Sequence, residues 1–153
     1  MIKVMFVCHG TICRSPMAEF VFKDMVKKEG LEKEFLISSS ATSTEEIGNG
    51  VHFGTRKKLA EFNISTKGKY AVRLTKKDYF DYDYIIGMDD QNIRNIFYIL
   101  GEDKQNKVSK LLDFENGGNI ADPWYTGNFD ETYNDILKGC KAFLEFLKRN
   151  QLK

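Results

Sequence analysis

Short apolar blocks alternate with longer amphipathic ones along this chain, and the alternation predicts strands separated by helices. Residues 2–7, Ile-Lys-Val-Met-Phe-Val, are too short and too uniformly apolar for an amphipathic helix and read as a strand buried on both faces. Ser15 and Pro16 open a helix, the serine as a cap and the proline in the first turn, where its missing N–H costs nothing. Ala18, Val21, Phe22, Met25 and Val26 then recur at helical spacing until Gly30 stops the run. Residues 35–39 form a second strand, residues 51–62 a second helix with sparser apolar positions, and residues 75–80 a helical turn. Residues 82–88 and 108–112 complete a set of four strands. Ile93, Ile96, Phe97 and Leu100 mark a helix over 92–100. Residues 131–148 close the chain as a helix with Tyr133, Ile136, Leu137, Cys140, Phe143, Leu144 and Leu147 on one face. The pattern argues for an α/β fold, a three-layer sandwich with helices on both faces of a parallel sheet. In such folds ligands bind outside the carboxyl ends of the strands.

Composition narrows the class. At 153 residues the chain is expected to be one domain, 1–153, with room for a sizeable core. It is 42% hydrophobic and 13% aromatic, which argues against disorder. A net charge of +1 with scattered Lys and Arg leaves no footprint for nucleic acid or anionic lipid. The leading apolar run is too short for a signal peptide or a membrane span. Three cysteines, an odd number, point to a reducing cytoplasm rather than a disulfide framework. The expectation is a cytoplasmic protein with no nucleic-acid or membrane partner, a monomer or weak dimer.

Candidate chemistry concentrates between the first strand and the first helix, at Cys8-His9-Gly10-Thr11-Ile12-Cys13-Arg14-Ser15. A helix N-terminus offers unpaired N–H groups and a partial positive charge, so it attracts a dianion and favours the thiolate of a cysteine held there. Gly10 lets the backbone turn its N–H groups inward as an anion nest. Arg14 supplies a planar fork for two phosphoryl oxygens, and the Ser15 hydroxyl can donate to the Cys8 sulfur. Zinc binding through Cys8, His9 and Cys13 is disfavoured by the spacing and by the lack of a fourth ligand, and no cofactor is expected.

The loop from Cys8 to Pro16 resembles the signature loop of the low-molecular-weight protein tyrosine phosphatases. Residues 41–43, 46–49, 83–86, 88–89 and 122–125 keep the same family's order, so the resemblance spans nearly the whole chain. It implies a four-stranded parallel sheet with flanking helices and a phosphate-binding loop after the first strand. It also implies Cys8 as nucleophile, Arg14 as phosphate clamp and Asp122 as the acid that protonates the leaving phenolate. A residue before proline is pushed towards extended backbone, so Asp122 is expected on a loop rather than a helix, with Gly117, Gly118 and Gly127 letting that loop fold over the site. Trp124 and Tyr125 are candidates for an aromatic wall against the substrate ring. Glu45 stands where relatives often place an aromatic, so acidic phosphopeptides are expected to be disfavoured.

Thr11 departs from the family's asparagine, which holds the loop in a left-handed turn that suits a β-branched residue poorly. The resemblance further implies a reversible Cys8–Cys13 disulfide that protects the nucleophile. The partner expected is a phosphotyrosine-containing protein or peptide. Three alternatives stand beside this reading. A protein arginine phosphatase of the same family typically carries threonine where this chain has Ile12. An arsenate reductase needs further cysteines, and none lies between Cys13 and Cys140. A non-catalytic phosphopeptide-binding module would not need Cys8, Arg14 and Asp122 together.

Overall fold

The computed structural model describes residues 1–152. Four parallel strands, β1 (Ile2–Cys8), β2 (Phe35–Ala41), β3 (Tyr84–Gly87) and β4 (Val108–Lys110), form one sheet in the order β2-β1-β3-β4. The helices are α1 (Arg14–Lys28), α2 (Phe53–Ala60), α3 (Lys76–Asp81), α4 (Asp90–Leu100), the short α5 (Pro123–Thr126) and α6 (Phe129–Asn150). Among the described residues no helix is long and apolar enough to cross a membrane.

Alternation along β1 splits the core in two, as a period of two demands. Ile2, Val4, Phe6 and Cys8 pack with Met17, Val21 and Phe22 of α1 and with Ile136, Cys140, Phe143 and Leu144 of α6. Met5 and Val7 pack on the other face with Leu74, Tyr79, Ile85 and Ile96. Both faces of β1 are therefore covered, which explains why Lys3 is its one polar residue. The side of the sheet that receives Cys8 is the side carrying α1.

The chain runs from β1 through α1 to β2 on one side, whereas β3 and β4 add on the other. That reversal opens a crevice at the carboxyl ends of β1 and β3, the place where such sheets bind ligands. Cys8 ends β1 and Met88-Asp89 follow β3, so both line the crevice's root.

Several element ends differ from the sequence reading. The apolar run 108–112 is strand only to Lys110; Leu111 and Leu112 turn into a single 3₁₀ turn buried under α6. Gly139 of α6 makes that possible, because a Cβ there would lie 2.6 Å from Leu111 Cγ. The first helix begins at Arg14, with Cys13 at its cap position and no side-chain cap, so Ser15 does not cap it. That leaves the Ser15 hydroxyl free for another partner.

Candidate active site

The loop from Cys8 to Ser15 is a cage around one sulfur. Cys8 Sγ faces the Ser15 hydroxyl at 3.1 Å and accepts from the Thr11 and Ser15 N–H groups at 3.3 and 3.5 Å. Thr11 Oγ1 lies 2.6 Å from Ser15 Oγ. Ser15 has one hydroxyl proton and a thiolate can only accept. With Cys8 ionised, Ser15 therefore donates to sulfur and Thr11 donates to Ser15, each bond polarising the next. Thr11 and Ser15 are 1% and 0% exposed, so no water competes.

Thr11 has φ +51°, the left-handed turn that a β-branched residue adopts at a cost of about 1–2 kcal/mol. The loop thus keeps the turn without asparagine, braced by the Thr11–Ser15 hydrogen bond. Gly10, by contrast, is not left-handed. Its role is space: a Cβ there would come within 3.2 Å of Glu46 Cγ. Further bonds tie the loop to its surroundings. The N–H groups of Thr42, Ser43 and His52 donate to the carbonyls of Cys8, His9 and Ile12, and Thr55 Oγ1 donates to that of Cys13.

Cys13 is buried within the loop. Burial, with Asp122 and the Cys8 sulfur adding repulsion, pushes its thiol up to about 12. It stays a protonated thiol across the neutral range. All three cysteines are free.

Arg14, 3% exposed, reaches from the loop to the acid segment. Nη1 donates to Asp89 Oδ2 at 2.6 Å and to the Ile120 carbonyl at 2.9 Å, while Nη2 approaches Asp122 Oδ2 at 3.5 Å. Burial alone works against the guanidinium charge, but the Cys8 sulfur and the Asp89 and Asp122 carboxylates outweigh it, so the pKa is raised. The short Asp89 bond fixes the fork. The long Asp122 contact leaves that carboxyl free to act elsewhere.

Asp122 caps the short helix α5, Oδ1 accepting from the Trp124 N–H at 3.0 Å, and Gly127 ends that helix in a left-handed turn. The extended backbone expected before Pro123 is present, but the residue is a helix cap rather than the middle of a loop. Fully buried Ile120 anchors the segment, its N–H bonding to the Met88 carbonyl, and Thr132 Oγ1 holds the Ala121 carbonyl.

Cys8, His9, Gly10, Ile12, Cys13, Arg14, Glu45, Asp122, Trp124 and Tyr125 line one pocket, together with Glu46. Thr11 and Ser15 lie beneath it, bonded to the sulfur. Trp124 and Tyr125 are 57% and 83% exposed, too open for core residues, and both line the pocket. On the rim His9 Nε2 and Glu45 Oε2 are 3.2 Å apart, both exposed. Three contributors escaped the sequence reading. Asp89 is visible as an acid after a strand and within the resembling segment 88–89 but is given no role there, Ile120 acts through its carbonyl, and His52 acts across a fold that its neighbours in sequence do not reveal.

A protein-family model described as low molecular weight phosphotyrosine protein phosphatase matches residues 3–153. The chain is 39% identical over 154 residues to the low molecular weight protein-tyrosine-phosphatase YfkJ of Bacillus subtilis, covering 99% of each. The crystal structure of that protein superposes with a TM-score of 0.95 at 38% identity, over 99% of this chain and 97% of that one. The low molecular weight protein tyrosine phosphatase SP-PTP of Streptococcus pyogenes gives 0.85 at 39% identity, over 99% and 94%. A Drosophila arginine phosphatase gives 0.89 at 26% identity, over 98% and 100%. Fold and site together define a phosphatase that works through a cysteine loop. The chain belongs to the low-molecular-weight protein-tyrosine phosphatases.

Proposed function

We propose that this phosphatase hydrolyses phosphotyrosine in proteins or peptides through a phosphocysteine on Cys8. The thiolate attacks phosphorus in line, the P–S bond forming as the P–O bond to tyrosine breaks. The loop N–H groups of residues 9–15 and the Arg14 fork hold the three equatorial oxygens. Asp122 gives its proton to the departing oxygen. As a carboxylate it then takes a proton from the water that displaces sulfur, which releases phosphate and restores the thiolate. Trp124 and Tyr125 pack against the flat ring, with His9 and Glu45 at the rim.

The observation that carries this reading is the convergence of two N–H groups and a hydroxyl on one sulfur, on the floor of a pocket that also contains Asp122. Tyrosine is favoured over phosphoarginine by Ile12 before Cys13 and by the higher identity with the tyrosine phosphatases YfkJ and SP-PTP than with the Drosophila arginine phosphatase. The three free, buried cysteines support a reducing, cytoplasmic setting.

The test compares phosphotyrosine and phosphoarginine peptides with the wild type, Cys8→Ser and Asp122→Ala. Cys8→Ser is expected to abolish phosphate release. Asp122→Ala is expected to lower kcat/KM for phosphotyrosine by about 10²–10⁴-fold, the usual contribution of a positioned acid. Turnover that survives loss of the thiol overturns the mechanism, and faster turnover of phosphoarginine overturns the substrate.

A further inference from the structure

His52 joins the two halves of the site, and its role rests on the reading of Asp122 as the acid. Its main chain belongs to the nucleophile side: the N–H donates to the Ile12 carbonyl at 2.8 Å. It caps α2, with Nδ1 accepting from the Gly54 N–H at 3.0 Å. An accepting Nδ1 leaves the ring proton on Nε2 and fixes the plane of the imidazole.

That plane faces the acid side. The ring stacks on Phe129, the first residue of α6, with centroids 5.4 Å apart and planes 13° from parallel. Its other contact is edge-on to Trp124, at 5.5 Å and 74°. Phe129 is itself pressed on the backbone of Gly54, where a Cβ would lie 2.3–2.6 Å from three ring atoms. Only glycine fits there, so the start of α2 and the start of α6 meet with an aromatic ring as the washer.

Ile120 and Ala121 are tied down by main-chain and Thr132 contacts, as described, but those bonds lie before Asp122. After it come Trp124, Tyr125 and Thr126, all exposed. The His52–Phe129–Trp124 cluster grips this downstream half, two residues from the acid.

We propose that His52 is a positioning residue for proton transfer: its ring holds Trp124 and the α5–α6 corner, and so sets the reach of Asp122 towards the leaving oxygen. The ring, not the helix cap, carries the effect.

Two substitutions separate ring from cap. His52→Asn keeps a cap acceptor and loses the ring; His52→Phe keeps a ring and loses the acceptor. Phe129→Leu removes the stack with His52 intact. The readout is kcat/KM over aryl phosphates whose phenols range from p-nitrophenol, which leaves readily without a proton, to phenol and tyrosine, which do not. Asp122→Ala supplies the slope expected with no acid at all.

His52→Asn and Phe129→Leu are expected to lower kcat/KM for phenyl phosphate by about tenfold and for p-nitrophenyl phosphate by less than about twofold. These are fractions of the full effect of a positioned acid. His52→Phe is expected to keep the wild-type leaving-group slope while lowering the thermal midpoint. Equal losses across the series, or an unchanged slope in both His52→Asn and Phe129→Leu, overturn the proposal. If Asp122→Ala itself leaves the slope unchanged, the general-acid reading has failed instead.

Discussion

The two halves of this site are built by different means. The nucleophile loop is wrapped by backbone: in residues 8–15 only His9 is exposed, the sulfur and the Cys8, His9, Ile12 and Cys13 carbonyls are met by N–H groups, and the Thr11 and Ser15 hydroxyls by each other. The acid segment from Asp122 to Gly127 has Pro123 as its one buried residue, and it is held by its own cap, by Arg14 and by an aromatic cluster. A cage of backbone amides is pre-organised by the β1–α1 junction and is costly to deform. A segment held by a few side chains can be retuned by changing one of them. Lesions in the loop should therefore slow all substrates alike, whereas lesions beside the acid should discriminate by leaving group.

Among the residues that support the chemistry rather than perform it, Asp89 gives the largest expected effect, because it serves both halves. Its carboxylate fixes Arg14, and Arg14 in turn binds the Ile120 carbonyl and approaches Asp122. Asp89→Asn retains a side-chain oxygen for the α4 cap, where Asp89 Oδ1 accepts from the Asn92 N–H at 2.7 Å. It removes the charge that balances a buried guanidinium. We expect kcat/KM to fall by on the order of 10–100-fold, somewhat below the loss of an oxyanion donor, because Arg14 remains. Steady-state kinetics with phenyl and p-nitrophenyl phosphate would show both a general loss and a steeper slope. A loss confined to one signature would mean that Arg14 serves only one half.

Thr11 sharpens the contrast from the loop side. Thr11→Val keeps the β-branch at φ +51° and deletes the hydroxyl that donates to Ser15. The buried Ser15 oxygen loses a donor, so we expect about 1–3 kcal/mol of lost stability by urea denaturation. Turnover is expected to fall severalfold with an unchanged leaving-group slope. Thr11→Asn relieves the strain, since asparagine tolerates the left-handed region, and should be the more stable of the two variants. A steeper slope in Thr11→Val would erase the distinction between the halves.

What the sequence made legible follows the same division. Cys8, Arg14 and Ser15 sit within eight residues between a nearly all-apolar strand and a proline-marked helix start, so strand burial and helix electrostatics place them without any long-range information. Asp122 was legible as the acid only through the family resemblance; the proline after it indicated no more than extended backbone. The sheet was legible because both faces of β1 are covered and its run is apolar at every position but Lys3. Where the pairing was long-range, the sequence was silent. The Arg14–Ile120 bond spans 106 positions, and nothing near His52 in the chain points to Phe129 or Trp124. Ser15 was given two local jobs, helix cap and donor to sulfur, and only the second is present, since both ask for a hydroxyl at a helix start. The 108–112 run was ambiguous because strand and 3₁₀ turn bury leucine equally well.

The smallest effect belongs to the rim, where charge is exposed and nothing is caged. Glu45 is 71% exposed by its side chain and lies 3.2 Å from His9 at the mouth of a pocket that must admit a dianion. Its carboxylate repels that dianion and any acidic residue next to the phosphotyrosine, but through water and mobile ions. Such surface terms amount to about 0–1 kcal/mol, and salt at 0.1–0.15 M screens them beyond roughly 8–10 Å. Glu45→Gln should therefore lower KM by about two- to threefold for a phosphotyrosine peptide with flanking acidic residues, and barely change it for one with flanking lysines. The term acts on encounter and ground-state binding, so kcat should not move. Raising the salt to about 1 M, where the screening length shrinks to about 3 Å, should abolish the difference between wild type and variant. A change in kcat, or a KM difference that survives high salt, would mean that Glu45 touches the reacting group and belongs to the acid half after all.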